Sequence, residues 1–282
     1  MKRYNWILIL VLITGCQLVV DFEIPIDKPK LVLNAILNPD STWNVSVTQS
    51  RHILDEFSAG YVPNAVVTIM DENDIVISTL DQPGFREYRS DLKPQAGKIY
   101  KVKVEVQGFE PVSALTNIPQ PMPITAVKID TVLNDDYADV TAEITFTDPP
   151  EKNYYQLYVS TKMIVQYWNS NGTRADTINY LHPLYLYKSE FEESTSVFND
   201  FKFNGATAKI KARFSYWTRG TILKQQIILL HLNEAYYKYE LTRNLQERTT
   251  GDPFAQPVQV FSNITNGIGI FAACAGYSFE LD

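Results

Sequence analysis

The sequence predicts a mainly β protein. An N-terminal immunoglobulin-like β-sandwich over residues 30–120 is followed by a second β-rich domain over residues 121–282, with one short helix near residues 233–247. Three observations lead there. Short runs of alternating apolar and polar residues recur through the first half, separated by turn residues, which is the period of half-buried strands. The 282 residues include 17 Tyr and 14 Phe, a composition that favours pleated, half-buried surfaces. Pro119, Pro121 and Pro123 then fall at alternate positions, a stiff stretch that cannot sit in a central strand and that marks the boundary between the halves.

Before the first strand, Lys2 and Arg3 lead into an apolar run from Trp6 to Ile13. That run is too short to cross a bilayer, which takes roughly 20 apolar residues. A basic start, a short apolar stretch and small residues ahead of a cysteine describe a cleaved export signal over residues 1–15. Ile13-Thr14-Gly15-Cys16 resembles the lipobox of bacterial lipoproteins, which implies cleavage before Cys16 and lipid on its thiol. The alternative is an ordinary secretory signal that happens to contain a cysteine. Residues 16–29 form the expected tether, of mixed polarity with Pro25 and Pro29. Gln17 stands where an aspartate would resemble an inner-membrane retention signal, and Asp21 and Glu23 resemble the early acids of surface-exported Bacteroidota lipoproteins. The expectation is an outer-membrane, lipid-anchored protein displayed at the cell surface.

The β pattern begins at Lys30 to Leu37, ended by Asn38-Pro39-Asp40, and continues in Trp43 to Gln49. Ala65–Met70 and Ile75–Leu80 read as a hairpin joined by Asp71-Glu72-Asn73-Asp74. Lys98–Val106, which Gly108 ends, and Val112–Ile118 complete the first domain. Beyond the prolines, Ile124–Val132, Val140–Phe146, Tyr154–Ser160 and Ala208–Tyr216 read as strands, and Ile222–Leu232 is a long apolar run of mixed character. Asn233 to Leu245 breaks the pattern: Tyr237, Leu241 and Leu245 recur every fourth residue, Asn233 can cap the start, and Gly251 and Pro253 stop the helix. The Gly- and Ala-rich run from Asn263 to Gly276 is expected to be a buried closing strand or pair.

This ending carries a family resemblance. Pro253, Phe254 and Pro257 lead through Val260 to Ser262-Asn263-Ile264 and then Asn266-Gly267-Ile268-Gly269-Ile270-Phe271. The stretch closely resembles the C-terminal signature of a Bacteroidota lipoprotein family called domain of unknown function 4249. Pro29-Lys30-Leu31-Val32-Leu33-Asn34 and Pro63-Asn64-Ala65-Val66-Val67 agree with it, whereas Ala272-Ala273-Cys274 departs where a glycine is expected after Phe271. The resemblance implies a cell-envelope lipoprotein without assigned chemistry, and an accessory or capping subunit of a TonB-dependent β-barrel receptor. It carries over no catalytic residue. Physically, Gly267 and Gly269 permit positive φ or close backbone approach, the prolines hold the stretch extended, and Asn263 can cap a turn, so the signature reads as a fold-defining corner.

A formal net charge of −7 and the lack of any Lys/Arg-rich segment speak against nucleic-acid binding. With Cys16 lipidated, Cys274 stands alone in an apolar run and reads as a small buried hydrophobe. His52, His182 and His231 are isolated, and no nucleophile elbow, phosphate loop or metal-ligand spacing occurs. Asp135-Asp136, Glu192-Glu193 and Asp71–Asp74 read as solvated loops or turns, although a glycosidase needs only two acids that meet in space. Asp40-Ser41-Thr42, Asp130-Thr131-Val132 and Asp176-Thr177-Ile178 resemble Bacteroidota O-glycosylation sites. Tyr154 to Tyr187 is dense in aromatics, which suits core packing first and a protein, peptide or sugar face second. No catalytic residue, metal or cofactor is expected. The leading expectation is therefore a non-enzymatic subunit that binds a peptide, glycan or other nutrient, set against a structural or adhesive envelope protein and a hydrolase.

Overall fold

The computed structural model describes residues 28–51, 60–169, 172–186, 197–251, 254–256 and 258–281. The chain is mainly β, with seventeen strands and one helix among these residues. Eight strands precede the prolines: β1 (Leu31–Leu37), β2 (Trp43–Gln49), β3 (Gly60–Tyr61), β4 (Val66–Asp71), β5 (Val76–Thr79), β6 (Glu87–Ser90), β7 (Ile99–Glu105) and β8 (Val112–Asn117). Nine follow: β9 (Ile124–Leu133), β10 (Tyr137–Thr147), β11 (Tyr154–Asn169), β12 (Gly172–Pro183), β13 (Tyr185–Leu186), β14 (Val197–Asn199), β15 (Thr207–Trp217), β16 (Thr221–Leu232) and β17 (Ile268–Leu281). The helix α1 spans Glu234–Thr249.

The strands form a nine-stranded sheet and two four-stranded ones. The large sheet runs β12-β11-β16-β17-β1-β2-β3, with β14 also on β11 and β6 also on β2. The order β5-β4-β7-β8 covers one end of it, and β13-β15-β10-β9 covers the other. Each pairing produces a sandwich, because strands with one apolar face must bury that face against another layer. In β1, Leu31, Leu33, Ala35 and Leu37 alternate inward to meet Val67, Ile69, Val102 and Val104. Trp43 packs edge-on against Tyr100 with ring centroids 4.8 Å apart. In β10, Ala138, Val140, Ala142, Ile144 and Phe146 do the same for the second core.

β17 belongs to both sandwiches. Its first six residues pair in parallel with β1, from Val32↔Ile268 to Leu37↔Ala273, and its last eight pair antiparallel with β16, from Leu232↔Cys274 to Gln225↔Leu281. With the period of two, one face of the strand sends Phe271 and Ala273 into the first core and Tyr277, Phe279 and Leu281 towards the second. The other face sends Ile270, Ala272 and Cys274 under α1, where Tyr154, Leu232 and Tyr236 complete a third cluster. The segment between β8 and β9 is pinned to both halves. Ile118 is buried in the first core, Met122 in the second.

Several elements are longer or later than the sequence pattern indicates. β11 does not end at Ser160 but runs to Asn169, pairing with β12 throughout and shifting register against β16 between Lys162 and Met163. That bulge breaks the alternation by which a strand is read. The closing strand starts at Ile268 and extends to Leu281, later than the Asn263–Gly276 run. The mixed run Ile222–Leu232 is β16, buried on both faces towards its end. The Asp71–Asp74 joint is a turn as expected: Asp71 Oδ1 accepts from the backbone N–H of Asn73 and of Ile75, both at 2.9 Å, and Asp74 takes φ 64.

Candidate functional site

The signature residues gather where β17 begins. Gly269 has φ +115, a conformation only glycine adopts readily, and a Cβ there would collide with the carbonyl of Leu33 on β1. A Cβ on Gly267 would lie 2.8 Å from the carbonyl oxygen of Leu31. Both glycines therefore allow the parallel approach of β17 to β1. Asn263 serves more than a turn. Its Nδ2 donates to the Phe271 carbonyl at 2.8 Å, and its Oδ1 accepts from the Phe271 N–H at 2.9 Å. One amide side chain thus replaces a neighbouring strand at a position where β17 has β1 on one edge only. Asn266 takes φ 61 and donates to the Pro111 carbonyl, Ile264 and Phe271 are buried in the first core, and Ser262 Oγ accepts from the Ile264 N–H. Phe254, by contrast, is 94% exposed and lies outside all three cores. Pro253 and Pro257 fall outside the described residues, as do Cys16 and His52.

Two residues further along β17 a second asparagine repeats the device. Asn233 Oδ1 accepts from Ala273 N–H at 3.2 Å and from Tyr236 N–H at 3.0 Å, and its Nδ2 donates to Thr116 Oγ1 at 2.7 Å and to the Asn117 carbonyl at 3.1 Å. The residue that caps α1 therefore also ties β17 to β8. Next to it lies a buried polar cluster. His231 Nδ1 is 2.8 Å from the Gln120 carbonyl oxygen, and its Nε2 is 3.0 Å from Asn153 Oδ1. Asn153 N–H donates to Asp200 at 2.6 Å, the Tyr155 hydroxyl donates to Asp148, and Gly205 N–H donates to the same carboxylate at 3.0 Å. Burial raises the pKa of Asp148 and that of Tyr155, and lowers that of His231. The imidazole is held where its charged form is best hydrogen-bonded and worst solvated. These groups are closed off from solvent and join the proline segment to the second sandwich, so their geometry is that of a joint.

Open clefts lie elsewhere: two, of about 470 and 560 Å³, on the first sandwich, and another on the outer face of the sheet β13-β15-β10-β9. This last cleft, of about 670 Å³, is lined by Val132, Asp139, Thr141, His182, Arg213 and Ser215, among others. The strand register sets out its floor and the surface beside it. Val132, Asp139 and Ser215 are direct neighbours across three strands; one row beyond the lining residues, on the same face, stand Tyr137 and Trp217, directly opposite each other. Asp139 is oriented by Ser215 Oγ, which donates to Oδ1 at 2.6 Å, and by Asn134 Nδ2, which donates to Oδ2 at 3.1 Å. The aromatic row is fixed by the turns that flank it. Arg219 Nε donates to Asp136 Oδ1 at 2.8 Å, and Thr218 N–H donates to the Asp136 carbonyl at 3.0 Å. Tyr137 is 47% exposed and Trp217 is 64% exposed.

Residues 19–280 match the family described as Domain of unknown function (DUF4249). The chain belongs to the DUF4249 family. No curated protein matches it. Among solved structures it resembles the two fibronectin type-III domain segment from chicken tenascin, with 11% identity, 73% of this chain and 91% of that chain covered, and a TM-score of 0.20, a likeness too distant to carry an argument.

In this DUF4249 chain, the described signature residues, Phe254 apart, build the corner that brings the last strand against the first, and the cleft draws on none of them. Sequence reasoning passed over Tyr137, Asp139, Ser215 and Trp217. No spacing signals them, since their common face depends on the pairing of three separate strands. Within the aromatic-dense stretch, Tyr154 and Tyr155 are buried core residues, while Tyr180 stacks on His182 with ring centroids 5.7 Å apart. Cys274 is buried, and burial pushes its thiol up to about 12, which suits packing and not nucleophilic attack. In the Asp71–Asp74 turn Asp71 accepts the two backbone bonds given above and Asp74 pairs with Lys101 at 2.7 Å, in the β9–β10 turn Asp136 pairs with Arg219, and Glu192-Glu193 lies outside the described residues. No group of three or more His, Cys, Asp or Glu is placed to hold a metal among the described residues. No helix among them is long and apolar enough to cross a membrane. Ser41, Thr42, Thr131 and Thr177 of the three Asp-Ser/Thr triplets all lie at the surface.

Proposed function

We propose that the chain is an outer-membrane lipoprotein, held by lipid on Cys16 and displayed at the cell surface, that acts as a non-enzymatic ligand-binding or capping subunit of a TonB-dependent receptor for nutrient uptake. The observation that carries this reading is the placement of the cleft. Pro29, the end of the expected tether, lies just before β1, which runs beside the first residues of β17. The Tyr137–Trp217 row lies past the last residues of β17, next to the turn into β16. Fourteen residues of extended strand separate the two ends, about 45 Å at the usual rise. A protein anchored by its first residues thus presents its open, mixed polar and aromatic surface away from the membrane, as a subunit that receives a ligand above a barrel requires. The lipobox and family resemblances supply the anchor and the kind of partner. Several acyl chains, at about 0.8 kcal/mol per buried methylene, anchor such a domain firmly.

Detergent purification of the native chain, followed by mass spectrometry of the intact complex, tests the reading. The expected result is a diacylated or triacylated Cys16 at the N-terminus and a large β-barrel at equal stoichiometry. Cys16→Ser should release the chain into the soluble fraction. An unmodified N-terminus, or a chain that purifies without any barrel, sinks it.

A further inference from the structure

The cleft on the outer face of the second sandwich carries a more specific assignment, which deepens the subunit reading and rests on it. We infer that this cleft binds a neutral oligosaccharide, hydrogen-bonded to Asp139 and extending over the adjacent Tyr137 and Trp217. Four features of the site point to this chemistry. The floor is the face of a sheet, so side chains from neighbouring strands do the recognising. Asp139 and Arg213 both line the cleft, so neither sign of charge dominates it, which suits an uncharged ligand. Asp139 accepts one hydrogen bond on each oxygen, from Ser215 and from Asn134. A carboxylate has about four lone-pair sites, so two remain for a ligand. Paired acceptors held in a fixed plane match two adjacent sugar hydroxyls, each donating to one oxygen. Thr141 and Ser215 add hydroxyls within the same cleft.

The aromatic row supplies the other half of the recognition. The C–H face of a pyranose is apolar and packs on aromatic rings, while its hydroxyls stay at the rim. Tyr137 and Trp217 are cross-strand partners, with Cβ atoms about 5 Å apart. They lie two residues along the strand from Asp139 and Ser215, a step of about 7 Å. A sugar unit on the rings and its neighbour on the carboxylate fit this spacing. The volume of about 670 Å³ falls in the usual range of small-ligand pockets. Two large rings exposed side by side form an apolar patch of the kind that marks a binding surface, and the salt bridge between Arg219 and Asp136 ties together the turns beside them.

The test uses the full lipidated chain in detergent. Isothermal titration calorimetry is run with cellohexaose, maltohexaose, xylohexaose, mannohexaose and laminarihexaose, and with hexaglycine as a peptide control. At least one hexasaccharide is expected to bind, with Trp217→Ala and Asp139→Ala each weakening it tenfold or more at unchanged Tm. Leu92→Ala, on the first sandwich, is expected to leave binding unaltered. The assignment is overturned if no hexasaccharide binds, if hexaglycine binds instead, or if the two cleft variants bind as tightly as the natural chain. Co-purification with a barrel reads out separately: a chain that binds no sugar but keeps its barrel overturns this inference alone, and a chain that binds sugar without a barrel overturns the subunit reading alone.

Discussion

The two sandwiches share a strand but finish differently. In the first, the inward faces of β4, β7 and β8 are wholly covered: Val67, Ile69, Val102, Val104 and Val112 have no exposure. In the second, the inward face of β9 is left partly open. Its residues opposite the buried Ala142 and Ala138 are Ile129 and Leu133, exposed by 43% and 73% respectively. A groove between β9 and β16–β17, lined by Ile129, Tyr216, Ile222 and Leu223, opens there. Full burial of apolar side chains stabilises a domain by about 1.5–3 kcal/mol each, so a sandwich left open forgoes part of that gain. The contrast teaches that closure is set strand by strand: β4, β7 and β8 bury their inward faces, while the late residues of β9 outrun the layer that would cover them.

The sharpest way to break the contrast is at the shared strand. Gly269→Val forces a branched side chain into φ +115 and into the Leu33 carbonyl, so a loss of about 4 kcal/mol or more is expected, with both halves unfolding together in a denaturant melt. Separate transitions for the two halves would show that β17 does not couple them. Next comes a matched pair. Trp43→Ala, in the closed core, should lower stability by about 3–5 kcal/mol, whereas Leu133→Ala, at the open rim, should change it by less than about 0.5 kcal/mol. Comparable losses from the two would erase the distinction. Asn233→Ala removes a helix cap and leaves the buried Ala273 N–H without its partner. A loss of about 2–3 kcal/mol is expected, and Asn233→Asp, which keeps both acceptor contacts and loses both donor contacts, should fall between. Chemical denaturation measures each.

The smallest effect is on pH. Burial holds the pKa of His231 below its ordinary value of 6.5. The unfolded ring takes up a proton more readily than the folded one, so stability is full above that ordinary value and is lost as pH falls through the folded one. The natural chain should therefore lose a few degrees more of Tm than His231→Gln between about pH 8 and about pH 5. Asp148, whose raised pKa works in the opposite sense, interacts with His231, so the same comparison is repeated in an Asp148→Asn background. Parallel Tm curves for the two would remove His231 from the account.

Much of the fold was legible because its strands alternate. β1, β2, β4, β7, β8, β10 and β15 follow the period of two with few lapses, and Asn233 announced α1 through its ability to cap. What was not legible is long-range. The parallel pairing of β1 with β17 joins residues more than two hundred positions apart, and no local pattern encodes it. Short pieces such as β13 and β14 exist because a neighbouring strand offers an edge, and not by propensity. The glycines of the ending were readable as a close approach, but the partner backbone was not. The cleft was the least legible part. Trp217 and Tyr137 are ordinary exposed aromatics in sequence and become a row only when β15 lies on β10.

The sharing of β17 has a consequence for biogenesis. Ile264, Phe271 and Ala273 are core residues of the N-terminal half, and they are among the last to be synthesised. The first hundred residues leave the ribosome with a gap in their interior, and they stay unfinished until the carboxyl end arrives. Folding of the first half waits for the end of the chain, and a truncation of the last fifteen residues would spoil the half of the molecule made first.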